Sequence, residues 1–474
     1  MNQLIWFRND LRLNDQSALW HATQAGTTLA LVIFSPEQWQ RHDDAPIKID
    51  FYLRQLAQLK DDLTALNIPL IVRTIPLWKD IPDELVKLVE HYKIENVYAN
   101  VEVGINELER DHQAQTALNA IQKDLKLYQD KTLFTLGSIR NKSDAPYQVY
   151  TPFKKNCYEL LNISLPQCFP QPEAQSDVPK IKADDSKLPS MTDLGYDEID
   201  KKTQALWPVG EKAAHKRLEA FIKDKINHYH ELRDYPAAEG TSCISPYLTI
   251  GLVSIRHCVQ AIFAKHQGQF LLENKGQEVW LNELLWREFY QQLMFDFPKL
   301  SRHQPFQDQT KTIPWKDNDA HFEAWTQGQT GIPIVDAAMR QLKATGWMHN
   351  RVRMICAMFL TKNLLIDWRK GEQWFMQHLI DGDFAANNGG WQWSASRGTD
   401  AAPYFRIFNP VSQSEKFDPD GKFLREWLPE LKHLDNTQIH EPYASKQISK
   451  LNYPKPIVDL KASRAEAIEV FKNN

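Results

Sequence analysis

The spacing of apolar residues changes character once along this chain, and that change constrains the architecture. Up to about residue 135, short β-type runs at 4–7, 29–34, 70–73, 96–99 and 126–128 alternate with stretches at 49–66, 82–92 and 107–124 that carry apolar residues at helical spacing. Strand and helix in alternation imply parallel strands joined by crossover helices. A Rossmann-like α/β domain with a five-stranded parallel sheet is therefore expected over residues 1–135. From residue 211 the strand pattern nearly vanishes, and helical periodicity runs through 211–225, 277–295, 334–345, 351–365 and 462–472. Residues 210–474 are expected to form an all-α domain, joined to the first by a linker over 136–209. Within it, 162–209 is rich in Pro, Lys, Asp, Gln and Ser and reads as surface chain. Two domains agree with a length of 474 residues, beyond the roughly 250–300 at which single cores stop growing.

Composition narrows the function classes. The net charge of −4 gives no general attraction to nucleic acid, so any DNA contact must come from a local patch. Cys157, Cys168, Cys243, Cys258 and Cys356 are scattered without a Cys-x-x-Cys, which points to reduced thiols and no metal site. The N-terminus enters a strand with no basic and apolar leader, and no run of 18 apolar residues occurs, so a soluble cytoplasmic protein is expected. Tryptophan is the outlier: ten of fifteen fall between Trp280 and Trp427, a crowding that favours a specific use beyond core filling.

After the first strand, where a dinucleotide fingerprint would place G-x-G-x-x-G, the chain has Arg8-Asn-Asp-Leu-Arg12-Leu-Asn-Asp15. The chemistry-bearing motifs lie further on. Residues 378–408 gather Asp381, Asp383, Asn387, Asn388, Trp391, Trp393, Arg397 and Tyr404 around glycines, a composition suited to a flat, charged aromatic ligand and also to a turn between packed helices. In Trp280-Leu-Asn-Glu283-Leu-Leu-Trp286-Arg287-Glu288-Phe-Tyr290, helical spacing puts Glu283, Trp286 and Arg287 on one face. That face can form a polar pocket wall with a stacking platform, or simply carry an i, i+4 Glu–Arg pair. Gly346-Trp-Met-His349-Asn350-Arg351-Val-Arg353 opens a helix with groups suited to phosphate, and His349 reads as structural. Tyr229 to Pro236, followed by Gly240-Thr241-Ser242-Cys-Ile-Ser245, offers hydroxyls that cradle a pyrophosphate or cap a helix.

Taken together and in order, Trp6-Phe-Arg-Asn-Asp-Leu-Arg12, the Trp280 block, the Gly346 block and Asp381-Gly-Asp-Phe-Ala-Ala-Asn-Asn-Gly-Gly-Trp-Gln-Trp393 resemble the photolyase and cryptochrome family, specifically its bacterial class I cyclobutane pyrimidine dimer photolyases. The resemblance spans essentially the whole chain. It implies that the all-α domain binds FAD, active in its anionic reduced form, at Tyr229, Thr241, Ser242, Cys243, Ile244, Ser245, Trp280, Asn350, Arg353, Asp381, Gly382 and Asp383. Asn387 matches the residue beside flavin N5, and Arg353 with Asp381 matches the ion pair near the ring.

By the same resemblance, Glu283, Trp286, Asn350, Met354 and Trp393 line a pocket for an extruded dimer in UV-damaged DNA. Photolyases are one of the general examples of base-flipping enzymes, so this step comes with the resemblance. Arg233, Arg287, Arg351, Arg397 and Gln413 match a DNA rim that sets position and not sequence. Trp391, Trp368 and Trp315 match a chain of indoles that photoreduces oxidised flavin. Asn106 and Glu107 match residues that bind a 5,10-methenyltetrahydrofolate antenna, with Arg302 standing where the family's usual partner is lysine. The implied reaction is light-driven repair of cyclobutane pyrimidine dimers by a monomer, through electron transfer from excited reduced FAD.

Three other readings are weaker. For a cryptochrome-type blue-light receptor, Asn387 in place of Asp, the Glu283–Trp286 pair and the lack of a long C-terminal extension are unfavourable. A (6-4) photolyase calls for histidines where this chain has Asn350 and Met354, and a dark flavin oxidoreductase calls for a nicotinamide motif that is missing.

Overall fold

The computed structural model describes residues 1–308, 313–444 and 451–473. β1 (Asn2–Phe7), β2 (Thr27–Phe34), β3 (Leu70–Thr74), β4 (Ile94–Asn100) and β5 (Asp124–Tyr128) form one sheet in the order β3-β2-β1-β4-β5. All pairs are parallel, with Leu4 opposite Leu29 on one side and Val97 on the other. Leu4, Ile5, Trp6 and Phe7 are all buried, as expected of a strand covered on both faces. The crossover helices Pro46–Ala65, Ile81–His91 and Ile105–Ala120 supply that cover.

The strand order reverses between β1 and β4, the position where open α/β sheets usually bind ligands at their C-terminal edge. Here that edge carries buried charge pairs around a cavity that Arg8, Arg12, Glu102 and Asp130 help to line. Arg8 Nη1 meets Asp111 Oδ1 at 2.6 Å, Arg12 Nη2 meets Asp130 Oδ2 at 2.6 Å, and Arg256 bridges Asp15 and Asp130 at 2.9 and 2.8 Å. The Arg8–Asp15 motif thus takes part in a buried network of ion pairs at that edge.

The chain divides into two compact units, Met1–Asn227 with Ser242–Arg302, and His228–Thr241 with His303–Asn474. The first boundary differs from the expected division at residue 210 because the helix Lys275–Asp296 is bonded to the chain just after β5. Glu288, fully buried, accepts from the Leu133 amide at 2.8 Å; Gln292 accepts from Gly137 at 2.9 Å; and Arg140 pairs with Asp296 at 2.6 Å. Nor is 136–209 simply a linker. Its helix Tyr150–Ile163 buries Tyr150, Phe153, Cys157 and Leu161, and Gln175 bonds both the amide and the carbonyl of Thr28 in β2.

The second unit packs the helices Pro333–Thr345, Asn350–Met358, Trp368–Met376 and Phe384–Ser394 around one apolar core. The expected single helix over 351–365 instead widens into a π-helical turn, Phe359–Asn363. Thr361 bonds back to the Ala357 carbonyl at 2.8 Å, and Lys362 turns inward to Ser396 at 2.9 Å. No helix among the described residues is long and apolar enough to cross a membrane.

Candidate functional site

In the first unit the helix Lys275–Asp296 carries the expected pocket wall. Trp280 is buried against Phe221 with ring centroids 5.0 Å apart, while Glu283, Trp286 and Arg287 remain half-buried on the same side. Arg287 donates to the Lys131 carbonyl at 2.8 Å. The Trp286 indole lies flat on Tyr150, with centroids 3.6 Å apart and planes 10° apart, a contact not foreseen from the sequence. Ser242 to Ser245 lead into the short helix Ser245–Thr249, with Cys243 at φ +48 and Ile244 buried.

The antenna candidates also fall in this unit. Gly104, at φ +119, starts the helix Ile105–Ala120, and a Cβ there would collide with the Glu107 carboxylate. Asn106 Nδ2 lies 3.0 Å from His42 Nε2, and the Ile105 amide donates to Ser301 Oγ at 3.1 Å, which brings the segment preceding Arg302 to the Asn106–Glu107 turn. Burial, then repulsion from Glu102, pushes the Glu107 carboxyl up to about 7. Trp78 packs edge-on to His42 at 4.8 Å.

In the second unit Tyr229 is buried beneath the Arg233 guanidinium, and Thr241 is half-buried. Arg351 pairs with Asp234 at 2.8 Å and lies 4.4 Å over Phe417, one turn beyond Gln413. His349 caps the helix Asn350–Met358 by accepting from the Arg351 amide at 3.1 Å, and burial pulls its imidazole down to about 4, in keeping with a structural histidine. Asn350 is exposed at the start of that helix, with Met354 half-buried one turn on. Arg353 Nη2 contacts both oxygens of Asp381, at 3.0 and 2.8 Å, while its Nε holds the Met348 carbonyl at 2.7 Å. Gly382 follows, and Asp383 caps the helix Phe384–Ser394 by accepting from Ala386 at 3.1 Å.

On that helix Asn387 donates from Nδ2 to the Glu372 carbonyl at 2.9 Å. This fixes the carboxamide with Oδ1 as a neutral acceptor that has no partner among the described residues. Glu372 is itself buried and holds Asn388 Nδ2 at 2.7 Å and His303 Nδ1 at 2.8 Å. Four residues on, Trp391 is 2% exposed and packs on Gly371, where a Cβ would collide with its ring. Gly371 and Trp368 share a face of the helix Trp368–Met376, so Trp391 rests against the helix carrying the second expected indole. Trp315, half-buried, packs on the same core, and the Lys316 amide bonds the Leu365 carbonyl at 2.7 Å. Trp325, not singled out from the sequence, meets Trp391 edge-on at 6.0 Å. Trp393 is half-buried.

Arg397 departs from its expected place on a DNA rim. It is 3% exposed, its Nε and Nη2 are buried without hydrogen-bond partners among the described residues, and it lies 4.8 Å over Phe471, which leaves it little access to a phosphate. Beside it, burial and then the charge of Arg397 pull the Lys362 ammonium down to about 6. Sequence gave no sign of this pair, since a buried arginine and a surface arginine read alike.

No cluster of metal-ligating side chains occurs among the described residues. The second unit's donor set does fit the flavin of FAD: a neutral oxygen acceptor at Asn387 suits a reduced ring N–H, and a carboxylate-held guanidinium at Arg353 suits an anionic ring.

A sequence model of the FAD-binding domain of DNA photolyase matches residues 280–473, and one of DNA photolyase matches residues 3–173. A deoxyribodipyrimidine photo-lyase of Vibrio cholerae is 42% identical, over 99% of this chain and 99% of its own length. A class III photolyase from Agrobacterium tumefaciens superposes with TM-score 0.85 at 33% identity, covering 100% of this chain and 97% of its own. A cryptochrome from Synechocystis gives 0.88 at 30%, covering 99% of both chains.

Proposed function

The chain belongs to the DNA photolyase family and carries its dimer-splitting activity on DNA with FAD as cofactor, and we propose how its own residues serve that reaction. The observation that carries the proposal is the Asn387 carboxamide, held with its oxygen available as a neutral acceptor. When bound, reduced FAD supplies on blue-light excitation the electron that opens the cyclobutane ring and is afterwards returned.

Tyr229, Thr241 to Ser245, Trp280, Asn350, Arg353 and Asp381 to Asp383 hold the cofactor. Arg353, anchored by Asp381, would supply positive charge that favours the anionic state of the bound ring. Asn387 would accept from the ring N–H and, unlike an aspartic acid, has no acidic proton to give.

Glu283, Trp286, Asn350, Met354 and Trp393 receive the dimer. Glu283, if protonated in the pocket, would donate a hydrogen bond to a pyrimidine carbonyl as negative charge develops there, while the indoles offer flat apolar faces. Arg233, Arg287, Arg351 and Gln413 position the DNA backbone. Trp391, Trp368 and Trp315 form the path by which electrons enter from the surface. At the Asn106–Glu107 turn, Arg302 supplies positive charge toward a 5,10-methenyltetrahydrofolate antenna, which we favour over a deazaflavin or a second flavin. The enzyme acts as a cytoplasmic monomer.

Stripping and restoring FAD tests this assignment. Protein freed of FAD should not remove dimers from an irradiated oligonucleotide under blue light, and refilled protein should; repair by the stripped protein would overturn it. Asn387 and the Glu283–Trp286 pair favour repair over the signalling role of a cryptochrome, which fold similarity alone does not separate.

A further inference from the structure

Tyr150 stands at the start of the helix Tyr150–Ile163, within the range expected to be an interdomain linker, yet it makes one of the tightest ring contacts in the first unit. Its phenol lies on the Trp286 indole at 3.6 Å between centroids and 10° between planes, which is face-to-face contact over the whole ring. The phenol is pinned at its far end as well: Tyr150 OH donates to the Asn282 carbonyl at 2.7 Å. Asn282 precedes Trp286 by four residues, so Tyr150 spans one turn of the helix Lys275–Asp296, bonded at one end and stacked at the other. Tyr158, two turns along its own helix, donates to the Asn282 side chain at 2.8 Å and fixes the two helices against each other. Phe289 closes the pocket edge-on, 5.8 Å from both Tyr150 and Trp286.

One face of Trp286 is therefore covered and its plane is set before any ligand arrives. A freely turning indole loses rotamer freedom when it stacks on a ligand, whereas a clamped one has already lost it. Resting on the reading of Trp286 as a wall of the dimer pocket, we propose that Tyr150 is a positioning residue for damage recognition. It holds the Trp286 plane so that the face opposite Tyr150 stacks on the saturated, splayed pyrimidine pair in preference to normal bases.

The test is the ratio of dark binding affinities of the FAD-loaded enzyme for a thymine-dimer oligonucleotide and its undamaged counterpart. Tyr150→Leu removes the flat face and should lower that ratio by up to about tenfold, the worth of a stacked aromatic pair, leaving affinity for undamaged DNA unchanged. Tyr150→Phe keeps the ring and should restore most of the ratio. Tyr150→Met, which fills the volume flexibly, should behave as Leu and stands in for it if the Leu variant does not fold. A parental ratio in both the Leu and the Met variants would overturn the proposal, as would an equal loss on both DNAs, which is the mark of a merely structural role. Trp286→Ala separates this from the underlying reading: if that variant keeps its dimer preference, Trp286 is not a wall of the pocket and both fall.

Discussion

The side-chain amide of Asn387 is tied to the backbone carbonyl of Glu372 at 2.9 Å, so the orientation of a residue on the helix Phe384–Ser394 is set by the helix Trp368–Met376. A carboxamide free to flip would present donor and acceptor in turn, and the anchor leaves the acceptor. Asn387→Asp places a second anion, or an acidic proton, where the neutral oxygen stands. The variant should bind FAD as well as the parent, lose its reduced-flavin absorbance faster in air, and repair with lower quantum yield. Unchanged air stability of the reduced form would separate Asn387 from the flavin.

Asp381 has its carboxylate committed to Arg353 through two short contacts, with the Asp381 side chain 4% exposed. Asp381→Asn leaves the guanidinium without its counter-charge, at a cost of roughly 1–3 kcal/mol. The FAD-to-protein ratio after gel filtration should fall, and the melting temperature with it.

Lys362 gives a pH dependence with a definite sign. Burial lowers its folded pKa from 10.5 to about 6, so between these values the unfolded chain binds a proton that the folded chain does not. The penalty is complete below about pH 6 and is relieved as pH rises toward 10.5. Lys362→Met, which also gives up the contact with Phe471 at 3.2 Å, should raise stability at pH 7 by roughly a few kcal/mol. Urea midpoints of parent and variant should converge at high pH. A variant less stable than the parent at pH 7 would mean that the ring and hydroxyl contacts outweigh desolvation.

Trp315 is the half-buried member of the indole set, with Trp368 and Trp391 buried behind it in the same core. Trp315→Phe should slow photoreduction of oxidised flavin while repair by pre-reduced enzyme stays near the parent. Normal photoreduction in that variant would remove Trp315 from the path.

What the sequence made legible follows from burial. The five strands read clearly because a parallel sheet covered on both faces needs continuous apolar runs, as in Leu4–Phe7. The ligand-bearing segments stood out because glycines, amides and indoles rarely gather without a use. Contacts between elements distant in sequence left no such mark. The Asn387–Glu372 bond joins two helices, the Tyr150–Trp286 stack reaches across 136 positions into a stretch that looked like linker, and the burial of Arg397 is made by folding. The π-helical turn at Phe359–Asn363 escaped because its apolar residues keep a helical period to residue 365.

Light dependence is the most direct measure of the central claim. Purified, reduced protein is mixed with a dimer-containing oligonucleotide, and dimers are counted with and without blue light. Loss of dimers in light alone, with the bases restored and the strand uncut, is the predicted result. Equal loss in the dark, or no loss in light, would contradict a repair driven by electron transfer from excited flavin.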